Sequence, residues 1–174
     1  MKRVLIPIAL LIVACGRSTV PGAPTDYRAP DGSFSARLPS DWKVDDAPGE
    51  TRKAAFFGPP SGVKPFSQLM GVYFHPSTEP ASARAYLASE APAEVPFAPR
   101  DVPVGGGTGL ELIVSRTVPD VHFGPQRVTT RLVEVVVPGG FYSLEHTWPT
   151  GTEPSPSFDE LLHSFKTSSV TATK

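Results

Sequence analysis

Proline sets the first limit on what this chain can form. It occurs 21 times in 174 residues, and the prolines cluster between the apolar runs and punctuate them. A proline lacks an amide hydrogen and clashes with a helix interior, so the runs it brackets are short elements. "SFSARL" sets Phe34, Ala36 and Leu38 against Ser33, Ser35 and Arg37, the period of a half-buried strand. Runs rich in β-branched and aromatic residues predict further strands at 53–57, 68–75, 97–104, 110–117, 126–137 and 141–148.

Two segments have helical spacing instead. Residues 77–91 bring Ala83, Tyr86 and Leu87 onto one side and stop before Pro92. In "SFDELLHSFK", residues 157–166, Phe158, Leu161, Leu162 and Phe165 fall at i, i+3, i+4 and i+7 and make one apolar face. Ser157 and Glu160 fit a capping box, and Lys166 is expected near the negative end of the helix dipole.

The chain opens with eleven apolar residues, 4–14, behind Lys2 and Arg3. A membrane-spanning helix needs about 20, so this run has the length and flanks of a secretory signal peptide. It ends in Ile12, Val13, Ala14 and Cys15, which is similar to the bacterial lipobox, with Ile12 where leucine is usual. In that motif the cysteine thiol takes a diacylglycerol, the preceding peptide is cut and the new N-terminus is acylated. Cys15 is the sole cysteine and therefore the expected lipid attachment, and two acyl signals hold a protein stably at a membrane. Gly16 in place of aspartate looks like the signal for transfer to the outer membrane. The expected location is a bacterial cell envelope, facing the periplasm if there are two membranes.

Residues 15–26 read as a flexible tether, 27–168 as a single domain and 169–174 as a disordered tail. With its one cysteine committed to lipid, the domain has no intramolecular disulfide and must rest on its core. Loss of Lys2 and Arg3 with the signal leaves 14 basic against 17 acidic residues, which gives no electrostatic case for nucleic acid.

"YRAPDGSFSARLPSDWKV" resembles the opening of PsbP-like domains, where a strand runs into a Pro-x-x-Trp corner, and "FDELLHSFK" resembles their closing helix. The resemblance implies an α+β fold, an antiparallel β-sheet flanked by helices on both faces, as in the Mog/PsbP α/β/α sandwich. It also implies a habit of protein binding and supplies no catalytic residue. Trp42 matches the aromatic corner and is expected to plug the core.

Chemical motifs are sparse. "GGGTG", 105–109, is followed by a strand and lacks the lysine of a phosphate-binding loop, so it reads as a hairpin turn. "VVVPGGFYS" predicts a second hairpin with Pro138, Gly139 and Gly140 as a three-residue loop. In that register Leu132 faces His146 and Glu134 faces Leu144, which makes Glu134 and His146 diagonal neighbours. An acid beside an imidazole is the start of a general-base pair, and a satisfied structural histidine is the alternative weighed against it. Arg131 and Glu145 would be diagonal on the other face, with an ion pair of modest worth. The four histidines, 75, 122, 146 and 163, have no metal-ligand spacing, and no metal or cofactor is expected.

The expectation is thus a lipid-anchored envelope protein that acts as a non-enzymatic protein-binding or assembly module. Its contacts are expected on two loops: 58–65 with Lys64, and 119–125 with Val121, His122 and Phe123. The alternatives are a carrier of an apolar small molecule, which needs a large apolar cavity, and an envelope hydrolase, which needs His146 and Glu134 in one cleft with a hydroxyl nucleophile.

Overall fold

The computed structural model describes residues 22–168 apart from 48, 61–67, 80, 94–95 and 120–123. Its elements run β1 (Pro24–Arg28), β2 (Phe34–Pro39), β3 (Lys43–Asp45), β4 (Arg52–Phe57), β5 (Leu69–Pro76), α1 (Ser82–Glu90), β6 (Arg100–Val104), β7 (Gly107–Val118), β8 (Gln126–Val137), β9 (Gly140–Pro149), α2 (Ser157–Ser164) and β10 (Lys166–Thr167). One antiparallel sheet has the order β3-β4-β5-β9-β8-β7-β6, and a smaller one has the order β1-β2-β10.

Helix α2 and the small sheet cover one face of the large sheet. Phe158, Leu161, Leu162 and Phe165 pack there with Phe34, Ala36 and Leu38 of β2 and with Val104, Val133 and Leu144. All four helix residues are buried, as the i, i+3, i+4, i+7 spacing predicts. Trp42 belongs to the same cluster, and its amide donates to Pro39 O across the corner. Helix α1 covers the opposite face, where Leu87 meets Leu112, Val114 and Leu132 with Tyr86 and Phe97 at the margin. The chain is therefore α+β, an antiparallel sheet with a helix on each face.

Several boundaries move. β1 begins at Pro24, inside the segment expected as tether, because 24–28 pair with 35–39 of β2. α1 begins at Ser82 rather than residue 77. The Ser77 hydroxyl accepts the Glu79 amide at 3.1 Å and meets the Ser82 hydroxyl at 2.6 Å, a local turn that competes with helix. β6 begins at Arg100 rather than residue 97, since Phe97 turns onto the α1-side cluster. At α2 the capping box does not form. Pro156 holds the cap position, Ser155 Oγ accepts the Ser157 amide at 3.3 Å, and Glu160 reaches out to Arg37. Lys166 lies in β10, so the basic group in the last turn of the helix is His163.

The two glycine-bearing hairpins decide the sheet's register. Between β6 and β7 only Gly105 and Gly106 connect the paired Val104 and Gly107, both with positive φ, as a tight hairpin turn requires. Between β8 and β9 the connection is Pro138 and Gly139 alone. Val137 pairs with Gly140, not with Phe141. Gly139 has φ +86°, the position that a turn with proline before it demands of glycine. Gly140 is in the ladder between β8 and β5, and only glycine fits there: a Cβ would come within 2.2 Å of the His75 carbonyl oxygen. A register shifted by one residue sends every side chain to the other face. The expected pairing of Glu134 with Leu144 and of Leu132 with His146 is thereby corrected to Glu134 with Ser143 and Arg131 with His146.

Candidate functional site

The shift separates the expected acid and imidazole. Glu134 shares the α1 face of the sheet with Ser143 and Glu145, whereas His146 lies on the α2 face beside Arg131. No general-base pair forms between them. Arg131 and Glu145 are likewise parted, so the ion pair expected there is absent. Cys15, Lys64, Val121, His122 and Phe123 lie outside the described residues.

On the α2 face, His146 is 1% exposed and packs between Trp148 and Phe158 in tilted ring pairs, with centroids at 4.9 and 5.2 Å. Its Nε2 is 2.6 Å from Gln68 Oε1, which also accepts the Ser155 amide at 2.8 Å, while Gln68 Nε2 donates to Glu153 O. The orientation of that amide assigns the Nε2 hydrogen to the donor side of the histidine. Burial, with the Arg131 charge behind it, lowers the imidazole pKa to about 4. His146 is a satisfied structural histidine that ties β9 to the start of α2.

Next to it lies an ionic knot that the sequence reading did not anticipate. Glu111 of β7 is 1% exposed, and its carboxylate is shared by Arg100 of β6 and Arg131 of β8. Arg131 extends to Asp159 of α2 at 2.6 Å and lies over the Phe158 ring. The available signal was a lone carboxylate inside the apolar run "LELIV". A glutamate buried in such a strand needs a cation from a neighbouring strand. Beside the knot opens a cleft of about 490 Å³ lined by Ile113, Arg131, His146, Trp148 and Asp159 among others.

On the α1 face a second polar group is sealed in. Ser143 donates to Glu134 Oε1 at 2.7 Å, Tyr86 donates to Glu145, and Glu134 Oε2 has no partner. Burial, with Glu145 and Glu90 adding to it, raises the Glu134 pKa to about 8. Glu134 therefore keeps its proton in the fold at pH values where an unfolded glutamate has lost it. Its contribution to stability is present below about pH 4.5 and is lost as pH rises to about 8. His146 has the opposite sign: its contribution is lost as pH falls from 6.5 to about 4. Above pH 6.5 only the Glu134 slope remains of the two. Between pH 6.5 and 8 the protein is expected to lose roughly 2 kcal/mol through this group, and Glu134→Gln is expected to flatten that slope. Denaturant unfolding at the two pH values checks it. An unchanged slope in the variant would show that Glu134 ionises normally.

A groove of about 650 Å³ is lined by Asp26, Arg28, Arg37, Glu160, His163 and Lys166 among others. Its charged walls suit no apolar cargo.

Comparison by sequence finds no matching family model and no matching curated relative. Comparison by structure finds the fold. A crystal structure from Bacteroides thetaiotaomicron superposes with TM-score 0.56 at 14% identity, over 85% of this chain and 49% of that one. The Saccharomyces cerevisiae Ran-binding protein Mog1p matches with TM-score 0.56 at 10% identity, over 84% of this chain and 96% of that one. Cyanobacterial PsbP from Synechocystis matches with TM-score 0.52 at 11% identity, over 90% and 99%. The likeness is one of fold, the PsbP-like arrangement.

Proposed function

We propose that this protein is a lipid-anchored, non-enzymatic module that binds or assembles a protein partner in a bacterial cell envelope. The observation that carries the proposal is the fold shared with Mog1p over 96% of that chain, together with the Ran binding that Mog1p's name records. The burial of three polar residues supports it: His146 is committed to Gln68, Glu111 to two arginines, and Glu134 is sealed under α1 with one oxygen held by Ser143. Groups tied up in this way stabilise the fold and leave partner contact to loops and strand edges. In this proposal Cys15 carries the lipid, Gly16 directs it to the outer membrane on the periplasmic side, and Lys64, Val121, His122 and Phe123 contribute to the partner surface. No cofactor takes part.

The anchor has a direct test. Cys15→Ser is expected to leave the protein unprocessed or released, since no other residue offers a thiol for the thioether. Membrane fractionation and mass measurement of the mature N-terminus check this. A variant matured and retained like wild type rejects the lipid anchor, and inner-membrane fractionation of the wild type rejects the role of Gly16. Crosslinking in intact membranes tests the binding role, which fails if the protein is recovered alone under conditions that crosslink other envelope complexes.

A further inference from the structure

β7 is twelve residues long, and its neighbour β6 covers only part of it. β6 pairs with Gly107 through Glu111, whereas β8 pairs with Leu110 through Val118. The two-residue turn at Gly105 and Gly106 makes Val104 and Gly107 a mutually hydrogen-bonded pair, so odd-numbered residues of β7 point their main-chain groups toward β6. The same rule at Pro138 and Gly139 turns odd-numbered residues of β8 toward β9 and even-numbered ones toward β7. The Thr150 amide bonded to Arg127 O at 3.0 Å agrees with that phase. Beyond the end of β6, the N–H and C=O groups of Ile113, Ser115 and Thr117 therefore point outward. Among the described residues no backbone hydrogen bond reaches them from that side.

Edges of this kind are normally blunted by proline, lysine, a bulge or brevity. β6 follows the rule: Pro103 stands where its amide would point outward. The free part of β7, "LIVSRTV", does not. It has no proline or lysine, pairs in unbroken register with β8, and exposes 51% of Ile113. On the same face the cleft beside Ile113, Arg131 and Trp148 lies within reach of a side chain from an added strand. Charge selects the visitor. Arg100 and Arg131 are neutralised by Glu111 and Asp159, so the positive charge left over at this edge is Arg127, exposed and without an ion-pair partner among the described residues.

We propose that the open edge of β7 at Ile113, Ser115 and Thr117 docks an extended acidic segment of the partner protein. The segment adds a strand to the sheet and sets a side chain into the cleft beside Ile113. This rests on the protein-binding role proposed above. Main-chain hydrogen bonds supply the affinity in such strand addition, and pockets for alternate side chains supply the choice of partner.

The test uses the full chain in detergent and two seven-residue peptides, one alternating glutamate with valine and one alternating lysine with valine. The glutamate peptide is expected to slow amide hydrogen exchange at Ile113, Ser115 and Thr117. Ser115→Pro removes one outward amide and leaves the ladder to β8 intact, and Arg127→Glu reverses a charge without touching the backbone. Each is expected to weaken peptide binding about tenfold at an unchanged melting temperature. No slowing with the glutamate peptide overturns the proposal, and so does equal slowing with the lysine peptide. Protection that grows with protein concentration in the absence of peptide also overturns it, because a second copy is then the occupant. In crosslinked membranes, a partner held equally by wild type and Ser115→Pro rejects this edge and spares the binding role. Recovery of both proteins alone rejects the role itself.

Discussion

Arg131→Ala is expected to destabilise the fold by about 3 to 5 kcal/mol, the range for breaking one partner out of a buried ion pair. The argument lies in what stays behind. Glu111 is 1% exposed and would retain only Arg100, whose side chain is 69% exposed and whose charge is largely spent on water. Arg131 also bridges the sheet to Asp159 and covers Phe158, so its loss loosens the start of α2 as well. Arg131→Lys should recover only part of the stability, because a point ammonium cannot hold two carboxylates with a planar fork. The double replacement Glu111→Leu with Arg131→Met should restore most of it, since removing both charges leaves no orphan. Chemical denaturation with an unchanged slope measures each value. A cost below about 0.5 kcal/mol for the alanine variant, the size of an ordinary surface change, would mean that Glu111 is hydrated in solution.

Leu161→Ala is expected to cost about 2 to 5 kcal/mol, the range for a buried leucine that leaves a cavity. Leu161 has no exposed surface and stands in the cluster that joins α2 to β2 and the large sheet. Its helix has only eight residues and no side-chain cap, so little besides this apolar face holds it in place. The glycine turn at 105 docks on the same helix, with the Gly105 amide donating to Leu162 O at 2.9 Å. Collapse of the site is therefore restrained from two sides, which argues for the upper half of the range. Equilibrium unfolding gives the number, and a value near zero would place Leu161 outside the core.

Much of the fold was legible locally. The face of α2, the turn at Gly105 and the apolar positions of β2 follow from spacing, from glycine's access to positive φ and from alternation, each a property of a few adjacent residues. The short strands β1, β3 and β10 were not foreseen as such. Each exists by pairing with a longer neighbour and has too few residues to show a period of its own. The start of α1 moved because the Ser77 hydroxyl found a backbone partner that competes with the helical pattern, and α2 ends at Ser164 because Lys166 pairs with Ser35 of β2.

The sequence by itself determined short strands, two glycine-bearing hairpins and an amphipathic closing helix, since strand and helix periods and turn residues are written along the chain, while the antiparallel sheet between two helices was what the resemblance to PsbP-like domains implied. It did not determine which polar residues meet. That Glu134 lies under α1 while His146 faces α2 follows from the two-residue turn at Pro138 and Gly139, which leaves Gly140 in the strand, paired with Val137. On its other side Gly140 pairs with Pro76 of β5, 64 positions away, a neighbour that only the tertiary structure supplies. One residue of register then exchanged the two faces, because side chains alternate along a strand with a period of two.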